Sequence, residues 1–286
     1  MLLAIDARNR SISVGFHQRP QAGLPGAGRW LSRRRIGAIP GRSADEYALL
    51  LRTFAAEAGG ETGSVVDAAW MSSVAPSLAK ELARAVGSAF GLTCSLVGPG
   101  VKTGVRIRSD VPSEVGSDLV CAAAAARELA GGACVVVDFD AAIAFSAVGR
   151  NGDFLGAAIA PGIGTAAEAL RATAALLPEV PLAWPQHGQP DDPGPAIGRS
   201  TAQSVRAGMA IGFAGLVERI VRRQREELAA MGEAESPEAV TVLGTGDEEG
   251  RHILASLGLG RFVPGLVLDG LAIIAARAAP APRTVV

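Results

Sequence analysis

The chain lacks most of the features that mark nucleic-acid-binding, membrane or extracellular proteins. Its 286 residues carry 27 Lys and Arg against 28 Asp and Glu, a formal net charge of −1. No excess of either sign argues for binding to nucleic acid or to an anionic membrane. Cysteines number only three, Cys94, Cys121 and Cys134, and their spacing matches no metal site. Cys121 lies in an alanine-rich helical run and Cys134 heads an apolar strand, so buried free thiols are expected. An odd, sparse set of thiols suits a reducing cytoplasm, which is the expected location. No signal peptide is visible, and the apolar run Met1 to Ile5 stops at Asp6, far too short to span a membrane. What the chain does have is apolar material, 49% of it, enough for one large core or two smaller ones.

Periodicity places strands at Leu2 to Asp6 and Ser11 to Phe16, then a Gly/Pro-rich loop from His17 to Arg29. Ser43 to Ala58 has helical spacing. Val65 to Ser72 reads as a strand, Leu78 to Phe90 as a helix and Thr93 to Val97 as a strand. Pro112 and Ser113 introduce a helix from Glu114 to about Leu129, stopped by Gly131 and Gly132. Strands at Cys134 to Asp138 and Ile143 to Val148 follow, with a hairpin at Asn151-Gly152. After a loop from Gly188 to Gly194, Ser200 and Gln203 sit at capping-box spacing before a long helix to about Leu228. A strand (Val240 to Leu243) and a helix (Leu268 to Arg277) complete the order, and the tail from Ala278 is expected to fray.

One unit occurs twice. An apolar strand ends in Asp6 and a second strand starts five residues later; the same happens at Asp138. A duplicated domain would give this pattern, since actin-like phosphotransferases build two phosphate loops from a strand-turn-strand with Asp at the turn. Two unrelated hairpins would give it as well.

Longer stretches add specificity: Arg42-Ser-Ala-Asp-Glu-Tyr47, Gly98-Pro-Gly-Val-Lys-Thr-Gly104, Pro112-Ser-Glu-Val-Gly-Ser-Asp118, Ala160-Pro-Gly-Ile-Gly164, Ile197-Gly-Arg-Ser-Thr201 and Ala207-Gly-Met-Ala-Ile-Gly-Phe-Ala-Gly-Leu216. Together, and in this order, they resemble the type III pantothenate kinases from Met1 to about Arg277. The resemblance implies an α/β, actin-like (ASKHA, ribonuclease H-like) pair of duplicated domains, at 1–131 and 132–286, the second carrying the dimer interface. It also implies phosphorylation of pantothenate by MgATP, with a monovalent cation, in the first step of coenzyme A synthesis.

Phosphoryl transfer needs a cradle for the triphosphate, a magnesium ion and a group orienting the attacking hydroxyl. The family's first loop, Asp-x-Gly-Asn-Thr, is Asp6-Ala7-Arg8-Asn9-Arg10 here. Asp6 and Asn9 remain, while Arg8 and Arg10 put bulk where backbone should meet ligand. The second loop, Asp-x-Gly-Thr-Ala, is Asp138-Phe139-Asp140-Ala141-Ala142, so a carboxylate replaces glycine and a hydroxyl donor is lost. The nucleotide-side Thr-Gly-Gly turn is Thr245-Gly246-Asp247, followed by Glu248 and Glu249. Like charges beside a polyphosphate lower affinity.

On the acceptor side, Asp118 stands at the position of the family's base; as an acidic residue near a helix start it also suits the helix dipole. Gly116, Lys102 and Thr201 match acceptor-side positions, Thr201 reaching the partner subunit's site in the family. The following arginine is Leu119 here, and Tyr-Asp-Asn-Pro is Ser109-Asp110-Val111-Pro112. Gly208, Gly212 and Gly215 lie at helical spacing, either for close helix approach or tolerated in a core helix.

These changes point to a non-catalytic homologue with no cofactor, a subunit or regulator forming a homodimer or a heteromer with an active type III pantothenate kinase. A divergent active enzyme, with Asp6 and Asp138 holding the metal, is one alternative. A small-molecule sensor with a pocket made more apolar by Leu119 and Val111 is another. A pairing of Arg8 with Asp140, or another pair involving these residues, is expected to close the phosphate site.

Overall fold

The computed structural model describes residues 1–19, 28–60, 63–174, 177, 180 and 195–278. The first half contributes β1 (Leu2–Ala7), β2 (Ser11–Gln18), β3 (Arg29–Gly37), α1 (Ala44–Gly59), β4 (Ala68–Ser73), α2 (Pro76–Phe90), β5 (Cys94–Leu96) and α3 (Ser117–Ala130). The remainder adds β6 (Cys134–Phe139), β7 (Ala142–Val148), β8 (Phe154–Pro161), α4 (Ile163–Thr173), α5 (Thr201–Ala230), β9 (Thr241–Gly246), α6 (Glu248–Ser256), β10 (Arg261–Phe262) and α7 (Leu266–Ala278).

The strands form two five-stranded sheets with one topology, β3-β2-β1-β4-β5 and β8-β7-β6-β9-β10. In each, the first three strands in sequence are antiparallel and the last two are parallel additions. Asp6 is paired with Ser72 across β1 and β4, and Asp138 with Thr245 across β6 and β9. The repeated strand-turn-strand is therefore a duplicated sheet, not two unrelated hairpins. This is the α/β actin-like architecture.

Two compact units result. One holds Met1–Val105, Asp110–Ala125 and the segment from Gly265; the other holds Arg106–Ser109 and Ala126–Pro264. A linear division at residue 131 would put the last helix with the second half, whereas α7 packs on β1, β2 and β4. Its close approach to α3 depends on Gly270, where a Cβ would overlap the Cys121 carbonyl.

The central strands show why the apolar runs are so dense. All six residues of β1 and all six of β6 are buried, as strands covered on both faces require. Leu3, Ile5, Phe16, Tyr47, Leu51, Met71 and Leu82 are in the first core. Val135, Val137, Phe145, Phe213, Val217, Val221 and Ile253 are in the second.

Ser43 and Glu46 cap α1 reciprocally, with Ser43 N donating to Glu46 Oε2 at 2.8 Å. At α5 the expected box is incomplete. Gln203 N donates to Ser200 Oγ at 3.3 Å, but the Gln203 amide oxygen accepts from Arg199 N rather than Ser200 N.

The sequence reading left β3, α4 and α6 unassigned. β3 carries Arg29, Arg33, Arg34 and Arg35 at a sheet edge. Charges there discourage edge-to-edge pairing, and they also hide the strand pattern. The loop expected from His17 to Arg29 is shorter at both ends, since β2 reaches Gln18; residues 20–27 lie outside the described residues. So do the loop Gly188 to Gly194 and the tail beyond Ala278. Among the described residues no helix is long and apolar enough to cross a membrane.

Candidate active site

In the first unit the site begins at the β1–β2 turn. Ala7 pairs with Ile12, and Arg8 N donates to Ser11 O at 2.9 Å. Asp6 is 4% exposed, because it points from the buried central strand. Arg8 is 8% exposed: its side chain folds back and Nε donates to Asp6 Oδ2 at 2.7 Å. The pair expected to involve Arg8 thus includes one within its own loop. Asn9 and Arg10 are exposed at the tip, and the Arg10 carbonyl accepts from Ala38 N at 3.0 Å.

The start of α3 is fastened beside this turn. Ser117 Oγ lies 2.9 Å from Ser72 Oγ and accepts from Ser73 N at 3.0 Å, so the end of β4 fixes the first turn of the helix. Asp118 follows in that turn, where the helix dipole favours an anion. Gly116 lies two residues before Asp118, close enough that a Cβ there would push the Asp118 carboxylate aside. One turn on, Cys121 is completely buried. Burial raises its thiol pKa well above the ordinary value, and the Asp6 and Asp118 carboxylates push it the same way. Asp6, Arg8, Ser72, Asp118 and Cys121 are therefore gathered in one place. The serine bridge was missed from sequence, although Ser117 lies inside the quoted Pro112–Asp118 stretch. Lys102 is exposed in the segment between β5 and α3.

The second unit repeats the turn with different fastening. Phe139 pairs with Ile143, and Asp140 N donates to Ala142 O at 3.1 Å. Ala141 O accepts from Gly162 N at 2.9 Å and from Thr165 Oγ1 at 2.7 Å. A Cβ on Gly162 would overlap the Asp140 and Ala141 carbonyls. Asp138 and Thr245 are both buried, at 3% and 2% exposed. Gly246 has φ +97° and lies against the Phe139 backbone, and Asp247 N donates to Phe139 O at 2.7 Å. Asp247 then takes the N-cap position of α6, whose first turn contains Glu248 and Glu249. Acidic residues suit that position in any helix, and Glu248 pairs with Arg251 at 2.8 Å on the surface. Thr201 opens α5 and is exposed. Gly208, Gly212 and Gly215 also lie exposed along α5, with no atom within 4 Å of an added Cβ.

A divalent ion needs several hard oxygen ligands. Among the described residues no three His, Cys, Asp or Glu side chains are grouped to hold one. In the first turn the Arg8 guanidinium is seated on Asp6 Oδ2.

The family model for type III pantothenate kinase matches residues 2–223. A type III pantothenate kinase of Moorella thermoacetica is 37% identical over 274 residues, covering 96% of this chain and 98% of that protein. One from Dehalococcoides mccartyi (strain BAV1) is 37% identical over 227 residues, 79% of this chain and 80% of its own. Among solved structures, a Campylobacter jejuni protein described as a Baf family transcriptional activator superposes with a TM-score of 0.54. It is 14% identical and covers 96% of this chain and 98% of its own, a likeness of fold.

Proposed function

Because the chain belongs to the type III pantothenate kinase family, we propose that it is a non-catalytic member. It acts as a subunit or regulator in coenzyme A synthesis, in a cytoplasmic homodimer or a heteromer with an active type III pantothenate kinase. The observation that carries this reading is the Arg8–Asp6 pair. Both side chains are nine-tenths or more buried, and a guanidinium stands 2.7 Å from the carboxylate oxygen in the turn that should meet phosphate. Asp140 in the second turn and Asp247 after Gly246 add negative charge where an anion should bind. The exposed glycines of α5 support the oligomer, because they let a second helix approach closely. Thr201 on that helix is the residue that a subunit would lend to its neighbour's site.

The test is MgATP-dependent phosphorylation of pantothenate by the purified chain, beside an Asp118→Asn variant. No turnover, together with co-purification of a kinase subunit when the two are co-expressed, is the expected result. One observation favours a divergent active enzyme instead. Asp118 is still held at the head of α3 by the intact Ser72–Ser117 bridge, as a catalytic base would require. Turnover that vanishes in Asp118→Asn establishes that alternative.

A further inference from the structure

We propose that the groove between β8 and the C-terminal half of α5 is a second binding site, for a small amphiphile with an apolar chain, an amide N–H and a terminal carboxylate. The inference goes beyond the proposed function and does not rest on it. Ala147, which lines the groove, stands at the far end of β7 from Ala142 and the second turn, roughly 16 Å away at the rise of a strand.

The groove has a volume of about 480 Å³, within the usual range of small-molecule sites. Its walls are apolar. Leu155, Ala158, Ile220 and Leu228 line it and also pack in the second core, so the fold itself sets their positions. Met231 completes the lining and is 64% exposed; its unbranched chain adapts to an irregular occupant. Two polar groups on the lining have no counterpart in the chain. Gln224 Nε2 donates to Phe145 O at 2.8 Å, which orients the amide and leaves Oε1 as an acceptor. That oxygen is buried with no hydrogen-bond partner among the described residues, a state that costs free energy until a donor reaches it. Arg219 is exposed on the lining, and its guanidinium has no ion pair or hydrogen bond among the described residues. Arg223, also on the lining, is held by Glu226 and Glu227 at 3.3 and 3.4 Å, so Arg219 is the cation left for an anion. Arg219 and Gln224 lie just over one turn apart on α5, close enough for their long side chains to meet adjacent groups of one ligand. A carboxylate on Arg219, an N–H on Gln224 and a chain along the apolar walls match every one of these features. A plain hydrocarbon would leave both polar groups unmet.

The experiment is calorimetric titration of the full chain with N-decanoylglycine, which carries all three features, and with dodecanoate, which lacks the amide. N-decanoylglycine should bind saturably, one per chain, and about 5-fold more tightly than dodecanoate. Gln224→Met should remove that advantage and leave dodecanoate binding unchanged, which a merely structural role of Gln224 would not do. Arg219→Gln should weaken both ligands by about 5-fold. Arg219 is exposed, so this variant keeps the test decisive should Gln224→Met fail to fold. Cosedimentation with phosphatidylglycerol vesicles separates a free amphiphile from a membrane lipid, and the chain should stay in the supernatant. The proposal is overturned by no saturable binding of N-decanoylglycine up to about 1 mM, or by equal affinities in wild type and Arg219→Gln. A loss in Gln224→Met that dodecanoate shares equally, or capture of the chain on vesicles, overturns it as well. Pantothenate turnover is a separate readout, so either idea can fail alone.

Discussion

The two sheets have the same strand order, and their β-turns sit at equivalent places, yet the turns are held by different forces. The first is closed by charge: Arg8 folds onto Asp6 inside the unit, and at the tip Ala38 N donates to Arg10 O. The second is closed by backbone packing, with Gly162 and Thr165 both bonded to Ala141 O and Gly246 against Phe139. Topology therefore dictates where a turn stands and how its central Asp is buried. It does not dictate what neutralises that Asp or what fixes the turn. Those depend on one or two side chains, which can change without disturbing the sheet.

The contrast can be broken by substitution. The largest effect is expected from Asp6→Ala, which leaves the Arg8 guanidinium buried without its carboxylate. A loss of about 4 kcal/mol in urea unfolding follows from the cost of stranding one member of a buried pair. A loss below about 1 kcal/mol, the range of exposed pairs, would remove charge as the fastening of the first turn. Gly162→Ala tests the second turn, because the new methyl must displace the Asp140 and Ala141 carbonyls. It should cost about 3 kcal/mol by overpacking, and an unchanged unfolding midpoint would show that the turn yields easily. Thr165→Val removes one hydrogen bond of that same turn and should cost about 1 kcal/mol.

The smallest effect concerns a feature in which the halves should behave alike. Burial raises the Cys94 thiol in the first unit and the Cys134 thiol in the second, each to about 12. Native protein at neutral pH should resist thiol reagents. In the folded state these thiols stay protonated where those of the unfolded chain ionise, so the folded state binds more protons above about pH 9. Their contribution to stability is complete below that pH and is lost as pH rises toward 12. Labelling of native protein at neutral pH, or a melting temperature flat through the alkaline range, would contradict the burial of both.

Much of the fold was legible because its signals are local. The buried strands β1 and β6 are apolar runs broken only by Asp6 and Asp138, α1 shows helical spacing from Ser43 to Ala58, and the Asp at each turn marks the repeat. β3 was not legible, because the run Arg33 to Arg35 interrupts the alternation of apolar residues that marks a strand. α6 was hidden for a different reason. Asp247, Glu248 and Glu249 read as charges beside a nucleotide, and that reading masked the N-cap position and first turn of a helix, where acidic residues are favourable.

The candidate site divides in the same way. Asp6, Asp118, Asp138 and Thr245 could be named from their place in the motifs, and the altered residues Arg8 and Asp140 from their departure from them. That Arg8 folds inward onto Asp6, and that Ser117 ties α3 to β4, could not be read from the chain. Sequence by itself determined the family, the repeat and the apolar strands, because these rest on residue identity and on periods of two and 3.6. Only the tertiary structure decided which carboxylate receives the arginine, and that α7 packs with the N-terminal sheet. Such contacts join residues whose proximity is set by strand register and helix docking, and no local preference encodes them.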